Sequence, residues 1–335
     1  MKEAMLYEKL EDKKVHCFLC RHHCRIPEGE LGICSVRQNR DGTLYSLVYN
    51  KAIATNVDPI EKKPLYHYKP GTLSYSIATV GCNFTCAFCQ NSDIAQMPRD
   101  HGRIAGREMP PESVVRAAKN SNCESIAYTY TEPTIFFEYA YDISVLAKEE
   151  GIGNVFVSNG YMTDEAVETI APYLDAINVD FKAFDKEVYR TYMGANLEQM
   201  KKGVKALFDA GIWIEVTTLI VPSLNDDEKQ IRGIAEFVAS LSRDIPWHIS
   251  RYHPSYRFMR QSPTPVKTLQ HAKEIGKEYG LHYIYIGNVL GEDSTTKCPS
   301  CGEDVITRFG FHVSEKKIKN GKCAFCGSEI AGVDM

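Results

Sequence analysis

The sequence predicts an α/β protein built around a curved or partly closed β/α barrel. Short apolar runs that predict strands alternate with longer segments that predict helices, which is the pattern of parallel strands joined by right-handed crossovers. The number of repeats favours a barrel over a doubly wound nucleotide-binding sheet, and no G-x-G-x-x-G phosphate fingerprint follows the first strand. Twelve cysteines lie along the chain, and eleven of them fall into three tight groups.

The apolar runs and their Gly, Asn, Pro or charged ends set the element boundaries. The predicted strands lie near 73–80, 125–130, 153–158, 176–181, 212–221, 247–252 and 282–287. The predicted helices lie near 112–120, 135–150, 164–173, 197–210, 226–241 and 266–279. We therefore divide the chain into a Cys-rich N-terminal region (1–70), a core barrel (71–291) and a C-terminal four-cysteine module (292–335).

Composition narrows the class of protein. In 335 residues, 44% are hydrophobic and the formal net charge is -4, which suits a globular protein and argues against a general nucleic-acid-binding surface. No secretory signal and no apolar run of membrane-spanning length is visible, so we expect a cytoplasmic protein. Clustered cysteines in that compartment more often bind metals than form disulfides. Cys123 stands apart from the groups and is expected to be a buried structural thiol.

The central group follows the first predicted strand and reads Cys82-x3-Cys86-x2-Cys89. An iron–sulfur cubane normally takes four thiolates, so a triad leaves one iron open to another ligand. The alternative is a zinc knuckle without its fourth ligand, for which His101 is the nearest downstream donor. The loop lies at the carboxyl end of a strand, where β/α barrels carry their chemistry.

This run resembles the signature of the radical S-adenosylmethionine superfamily, including the aromatic Phe88 before the third cysteine. The resemblance implies a partial (β/α)6-type barrel, a [4Fe–4S] cluster and S-adenosylmethionine as cofactor. Tyr130-Thr131-Glu132-Pro133 resembles the superfamily's Gly-Gly-Glu-Pro segment, whose backbone and Glu bind the methionine amino group. Glu132 could otherwise be an ordinary acid at a helix N-terminus.

Further segments fall at the ends of later strands. Ser158-Asn159 follows the third predicted strand, and by the resemblance both residues are candidates for cofactor binding. Asp180-x-Lys182 ends the fourth strand and looks like a pair shared by glycyl-radical-activating enzymes. Strand alternation would put both side chains on one face, and the alternative is a plain salt bridge. His253, after the sixth strand, could reach ribose or substrate, or be an ordinary loop histidine.

The C-terminal group has the spacing of a closed structural metal site. Two C-x2-C pairs flank a β-rich stretch, and four thiolates around one ion describe a zinc ribbon, with rubredoxin-like iron as the rival. The ligands are Cys298, Cys301, Cys323 and Cys326.

The N-terminal group is Cys17, Cys20, Cys24 and Cys34, with His16, His22 and His23 interleaved. The mixture of residue types suits zinc, whereas four cysteines would equally suit an auxiliary iron–sulfur cluster. We lean to a structural metal site, but the spacing does not decide between the two.

Nearly the whole chain resembles the radical S-adenosylmethionine protein of the AmmeMemoRadiSam system, which is related to pyruvate formate-lyase-activating enzymes. The segments that carry this resemblance are 17–24, 29–37, 58–65 and the C-terminal end. It implies reductive cleavage of S-adenosylmethionine to methionine and a 5′-deoxyadenosyl radical, an electron donor such as ferredoxin or flavodoxin, and Memo-like and Amme-type companion proteins.

Three functions remain open at this point. The radical could abstract hydrogen from a protein, as in glycyl-radical activation, or from a small molecule. From another class, the chain could be a non-catalytic binding protein stabilised by metals, although its charge and lack of a basic aromatic platform weigh against RNA. The segment 66–68 is expected to cap the barrel mouth and help exclude water.

Overall fold

A computed structural model describes residues 1–335, which divide into two compact units. The first unit comprises Met1–Asp58, Leu73–Asp175 and Tyr189–Ile212. The second comprises Pro59–Thr72, Ala176–Val188 and Trp213–Met335. No helix has the length and apolar character needed to cross a membrane.

The centre of the first unit is a row of four strands in the order β12-β11-β9-β8. These strands are β8 (Ala54–Pro59), β9 (Leu73–Ala78), β11 (Ser125–Tyr128) and β12 (Gly153–Ser158). The last three are parallel, with Ser125 opposite both Ser74 and Gly153. Apart from Leu73 at the start of β9 and Val157 of β12, their apolar residues are buried, as expected for strands covered on both faces.

Small antiparallel sheets make up the N-terminal part of this unit. One joins β1 (Lys2–Glu3), β6 (Thr43–Ser46) and β5 (Arg37–Arg40), and another joins β2 (Tyr7–Lys9), β3 (Val15–Cys17) and β4 (Cys24–Ile26). A third pairs β10 (Arg107–Glu108) with β7 (Lys51–Ala52). The Cys-rich region is therefore built from short hairpins, which its sequence had not predicted.

Most helices of the first unit begin at a polar cap residue or a proline. They are α1 (Ser92–Ala95), α2 (Met97–His101), α3 (Pro111–Asn120), α4 (Phe137–Glu149), α5 (Asp164–Ile170) and α7 (Leu197–Asp209). Thr163 caps α5 by accepting the amide of Ala166, and Asn196 caps α7 by accepting the amide of Gln199. A 3₁₀ turn, Pro133–Phe136, precedes α4, and a π-helical turn, Tyr189–Met193, precedes α7.

The second unit has its own parallel row, in the order β16-β15-β14-β13. The strands are β13 (Ala176–Asp180), β14 (Trp213–Ile220), β15 (Trp247–Arg251) and β16 (Ile284–Gly287), with helices α6 (Lys186–Val188), α8 (Glu228–Leu241) and α9 (Val266–Glu278). The C-terminal module adds β17 (Thr296–Lys297), β18 (Asp304–Phe309), β19 (His312–Lys316), β20 (Ile318–Lys319) and β21 (Lys322–Cys323).

The α/β class and the parallel strands of the core are confirmed, and all seven predicted core strands are present. Most observed ends lie within two residues of the predicted ones. Neither row of strands closes into a barrel. The helix predicted over 164–173 ends at Ile170, because Pro172 interrupts α-helical hydrogen bonding and the chain continues as a 3₁₀ turn.

Candidate functional site

The central cysteine loop follows β9 and is held by backbone hydrogen bonds within the first unit. The amide of Thr85 donates to the carbonyl of Met193, and the amide of Ala87 to the carbonyl of Tyr192, both at 2.9 Å. Gly194 follows this turn with a φ of 66° and packs closely against Thr85, since a Cβ there would lie 2.7 Å from Thr85 Oγ1. The π-helical turn thus fixes the backbone between the cysteines, a role that no sequence motif indicated.

The surroundings of the Cys82 thiol disfavour its thiolate form unless a metal cluster supplies positive charge. Its Sγ accepts the amide of Phe84 at 3.4 Å, the geometry of an N–H···S bond. Burial raises the pKa of the Cys82 thiol well above its ordinary value, with the nearby Glu132 carboxylate as the second cause. Beside it, Nδ2 of Asn83 is buried without a hydrogen-bond partner. An unpaired donor next to a thiol that needs a cation fits an iron–sulfur cluster.

The Glu132 carboxylate is almost fully buried, at 3% exposure, and is held by two segments of the first unit. Its Oε1 accepts Ser158 Oγ at 2.7 Å and both the amide and hydroxyl of Thr134, at 3.0 and 2.6 Å. Its Oε2 accepts the amide of Asn159 at 2.8 Å. Burial raises its pKa, and these hydrogen bonds oppose that rise. Glu132 therefore caps the 3₁₀ turn and also accepts hydrogen bonds from the end of β12.

Asn159 connects this carboxylate to the cysteine loop. Its side-chain amide donates to Asn83 Oδ1 at 2.7 Å, and Asn83 directly follows Cys82. The structure thus brings together three segments that the sequence had identified separately: the cysteine loop, Glu132 and Ser158-Asn159. Asn83 was not identified, and its position next to a ligand cysteine was the only signal for it.

The side chains of Tyr130 and Thr131 form hydrogen bonds that tie their own segment to neighbouring parts of the first unit. The Tyr130 hydroxyl donates to Asp58 at 2.6 Å, and Thr131 Oγ1 donates to the carbonyl of Thr79 at 2.8 Å. Tyr130 has a φ of 64°, a left-handed conformation that costs a non-glycine residue about 1–2 kcal/mol. Its carbonyl accepts Asn91 Nδ2 at 2.9 Å, which ties this turn to the end of the cysteine loop.

The other residues predicted to contact the cofactor are divided between the two units. Phe88 is buried at 2% exposure in the first unit. His253 is an exposed residue of the second unit, two positions after β15.

Asp180 and Lys182, also in the second unit, form a salt bridge of 2.9 Å. β13 ends at Asp180, so Lys182 lies just beyond the strand. The amide of Phe181 still donates to the carbonyl of Thr217 in β14 at 2.9 Å, and it also lies 3.0 Å from the carbonyl of Val179.

The C-terminal cysteines form a compact tetrad in the second unit. All four sulfurs lie within 4.8 Å of one another, with Cys298–Cys326 at 3.6 Å and Cys301–Cys323 at 3.8 Å. A tetrahedral zinc ion with Zn–S bonds of about 2.3 Å requires sulfurs about 3.8 Å apart. The tetrad packs on Val305, Ile306 and Ile330. The residues therefore fit one closed metal site.

The N-terminal cysteines instead line a shared cavity in the first unit. All four cysteines contribute to its wall, but their sulfurs do not all lie within 4.8 Å of one another, as those of the C-terminal tetrad do. Cys17 and Cys34 are buried, while Cys20 and Cys24 are partly exposed. Burial raises the pKa of Cys34 to about 11, so a free thiolate is disfavoured there without a cation.

The segment 66–68 does not lie where a mouth-capping role requires. The amides of Tyr66 and His67 donate to the buried Glu215 carboxylate at 2.9 and 2.7 Å. Glu215 is the third residue of β14, so this contact is near the amino end of that strand, opposite its loop end. The carboxylate also accepts His248 Nε2 at 2.6 Å. The capping hypothesis is therefore wrong, because the buried Glu215 carboxylate binds the segment near the amino end of β14.

Comparisons with known proteins agree with this site. The family model described as Radical SAM superfamily matches residues 76–238, which include the cysteine triad, Glu132 and Asn159. An uncharacterised protein of Methanocaldococcus jannaschii is 44% identical over 334 residues, covering 98% of this chain and 99% of the relative. The pyruvate formate-lyase-activating enzyme of Clostridium pasteurianum is 24% identical over 179 residues, covering 52% of this chain and 72% of that enzyme.

The fold is also seen in a solved structure. The crystal structure of Streptococcus suis SuiB bound to S-adenosylmethionine aligns with a TM-score of 0.51 at 15% identity, covering 69% of this chain and 53% of SuiB. At that identity the likeness concerns the fold alone.

Proposed function

We propose that this chain, whose residues 76–238 match the radical SAM superfamily model, cleaves S-adenosylmethionine reductively at a [4Fe–4S] cluster held by Cys82, Cys86 and Cys89. The observation that carries the proposal is the series of hydrogen bonds from Glu132 through Asn159 to Asn83, the residue next to Cys82. A buried carboxylate and a cluster loop within one hydrogen-bonded group are what a bound amino acid next to a metal would need.

When bound, the cluster and S-adenosylmethionine supply a one-electron cleavage that yields methionine and a 5′-deoxyadenosyl radical. Three thiolates would leave one iron without a protein ligand, and the amino and carboxylate groups of the methionine part would bind there. Glu132 would accept a hydrogen bond from that amino group, a charge-assisted bond that gains strength from burial. Ser158 and Asn159 keep that carboxylate in place before the ligand arrives.

For the substrate, we propose a protein from which the radical abstracts hydrogen, as a glycyl-radical activase does. Support comes from homology to pyruvate formate-lyase-activating enzymes and from the Asp180-x-Lys182 pair. Asp180, Lys182 and His253 remain proposed cofactor contacts that rest on family resemblance. A one-electron donor such as ferredoxin or flavodoxin is required, and Memo-like and Amme-type proteins are proposed companions.

The test of the reaction is product formation under anaerobic conditions. Reconstituted protein with dithionite and S-adenosylmethionine is expected to yield 5′-deoxyadenosine and methionine. Cys86→Ala should abolish both products while leaving zinc at the C-terminal tetrad. If wild-type protein gives no 5′-deoxyadenosine, the chain is instead a metal-stabilised binding protein.

The substrate class is tested by following deuterium. Candidate protein partners and small molecules, each deuterated, are incubated separately with the enzyme. Deuterium in 5′-deoxyadenosine from a protein partner supports the activase proposal. Deuterium from a small molecule, and none from proteins, would assign the radical to small-molecule chemistry with the same companions.

A further inference from the structure

We propose that Cys17, Cys20, Cys24 and Cys34 hold an iron–sulfur cluster, and that this second site delivers single electrons to the Cys82 loop. The cluster assignment stands on the geometry of the N-terminal region. The electron-delivery role rests in addition on the proposed function.

The two four-cysteine groups of this chain differ in geometry. The C-terminal sulfurs have closed to tetrahedral zinc distances, 3.6 and 3.8 Å in two pairs. The N-terminal cysteines line one cavity, but their sulfurs do not all lie within 4.8 Å of one another, as the C-terminal sulfurs do. One zinc ion requires a tight tetrad of sulfurs, whereas a cluster of irons and sulfides holds its thiolates farther apart. The open arrangement therefore favours a cluster.

Two of the three interleaved histidines, which had suggested zinc, each have a ring nitrogen bound to another group. His22 lines the cavity, but its Nε2 is 2.9 Å from the carbonyl oxygen of Asn83. His16 Nδ1 is 2.8 Å from Glu8 Oε1. All four cysteines line the wall together, and four thiolates are the usual ligands of [2Fe–2S] and [4Fe–4S] clusters.

A buried guanidinium lines the same cavity with unused donors. Arg37 is 2% exposed, and its Nη2 is satisfied by the carbonyl of Met5 and by Glu138 Oε1 at 2.9 Å. Its Nε and Nη1 have no hydrogen-bond partner. Leaving a buried donor unpaired costs about 1–3 kcal/mol, and more for charged groups, so such donors call for an acceptor. Cluster sulfides and thiolates are acceptors of the required negative charge.

The site lies between the surface and the central cysteine loop. On the outer side, Leu31 and Ile33 are exposed by 44% and 46% immediately before Cys34. On the inner side, Thr134 and Ile135 of the 3₁₀ turn capped by Glu132 form part of the cavity wall. The N-terminal site therefore lies near the surface on one side and against the turn capped by Glu132 on the other.

Direct contacts join the two cysteine groups. Arg99 Nη2 donates to the carbonyl of Ile33 at 2.7 Å, and its Nη1 donates to the carbonyl of Phe84 at 3.3 Å. A Cβ on Gly81 would lie 2.7 Å from Val36 Cγ1, so the residue before Cys82 packs directly on the segment after Cys34. The path between the sites therefore passes through packed, buried residues.

The proposed step moves one electron and changes no covalent bond. A low-potential one-electron donor of the ferredoxin or flavodoxin class is oxidised by one electron, which enters at the N-terminal site. The same electron leaves toward the Cys82, Cys86 and Cys89 site, so the N-terminal site returns to its starting oxidation state.

The first test measures metal and acid-labile sulfide in two variants of the full chain. One variant is C82A/C86A/C89A, and the other is C17S/C24S, each reconstituted anaerobically. We expect C82A/C86A/C89A to retain about two to four irons and C17S/C24S about four, each matched by equal sulfide, and both to keep about one zinc per chain. Far-ultraviolet circular dichroism checks that each variant is folded, and Cys123→Ala serves as the matched control with wild-type metal content.

The outcomes separate the two proposals. If C82A/C86A/C89A holds about two zinc ions and no sulfide, or if C17S/C24S holds as much iron as wild type, the N-terminal cluster is overturned while the reaction stands. If C82A/C86A/C89A holds as much iron as wild type, the proposed function fails instead.

The second test compares two reductants. For C17S/C24S, the rate of 5′-deoxyadenosine formation with reduced flavodoxin, divided by the rate with dithionite, should fall at least about tenfold below the wild-type ratio. An unchanged ratio would overturn the electron-delivery role.

Discussion

Asn159 donates its side-chain amide to Asn83 Oδ1 at 2.7 Å, so the end of β12 is bonded to the residue that follows Cys82. The backbone amide of the same Asn159 donates to Glu132. One residue therefore positions both the cysteine loop and the carboxylate that we propose for the amino group of S-adenosylmethionine.

Replacing Glu132 by Gln should weaken S-adenosylmethionine binding. The amide keeps a carbonyl that can accept Ser158 or Asn159 but loses the negative charge opposite the amino group of S-adenosylmethionine. A hydrogen bond to a charged group contributes about 1.5–3 kcal/mol, which corresponds to a loss of about 10- to 100-fold in affinity. Equilibrium binding to the reconstituted protein measures this. The exposed Glu168→Gln is the control, and an E132Q affinity equal to it would contradict the assignment.

Asn159→Ala should destabilise the cysteine loop before any ligand binds. The change removes the bond to Asn83 and leaves that buried side chain without its donor, at an expected cost of about 1–3 kcal/mol in the free energy of unfolding. We expect a lower urea midpoint and less iron after reconstitution. Asn120→Ala, at an exposed position in α3, should change neither. Full iron content and an unchanged midpoint in N159A would show that the bond is dispensable.

His67 should make the second unit sensitive to acid. Burial lowers its pKa from 6.5 to about 4, and the ring accepts Tyr285 Oη and binds the carbonyl of Ala331 in its neutral form. The unfolded chain therefore binds more protons below pH 6.5, so stability present above that pH is lost as the pH falls toward 4. The loss is on the order of 3 kcal/mol.

Urea unfolding between pH 7 and pH 4 measures this slope. His67→Phe should be less stable at pH 7 but should lose less stability on acidification, whereas the exposed His271→Gln should retain the wild-type slope. Equal slopes for H67F and wild type would rule out His67 as the source.

Removal of the C-terminal metal should disorder the module around it. Val305, Ile306 and Ile330 pack on Cys298 and Cys323, so their burial depends on the closed tetrad. We expect about one zinc per chain, and chelation should open residues 292–335 to proteolysis. Cys301→Ser should mimic chelation, while its exposed neighbour Ser300→Ala should resist the protease. Unchanged resistance after zinc loss would mean that the module folds without metal.

Local pattern was enough to predict the core elements and several site residues. The apolar runs ending before Gly81 and at Ser158 located strands and their loops, because a buried parallel strand has a distinctive composition. The supports at Asn83 and at Tyr189–Met193 were missed, since a hydrogen bond between distant segments leaves no periodic signal in either. The placement of Tyr66-His67 was wrong because it depends on Glu215, about 150 residues away.

The N-terminal cysteines show the same limit. Their spacing permits zinc or iron, and only the shared cavity and the unpaired donors of Arg37 distinguish the two. Three-dimensional space between ligands is not encoded in the separation of four cysteines along the chain.

The most direct measurement is the electron paramagnetic resonance spectrum of the reduced protein with and without S-adenosylmethionine. The C17S/C24S variant is best suited, because it should contain the central site alone. We predict a signal from a reduced [4Fe–4S] cluster whose shape changes when S-adenosylmethionine is added, and no such signal in the same variant carrying Cys86→Ala. A protein that carries only zinc at Cys82, Cys86 and Cys89, or a cluster signal that S-adenosylmethionine leaves unchanged, would contradict the account.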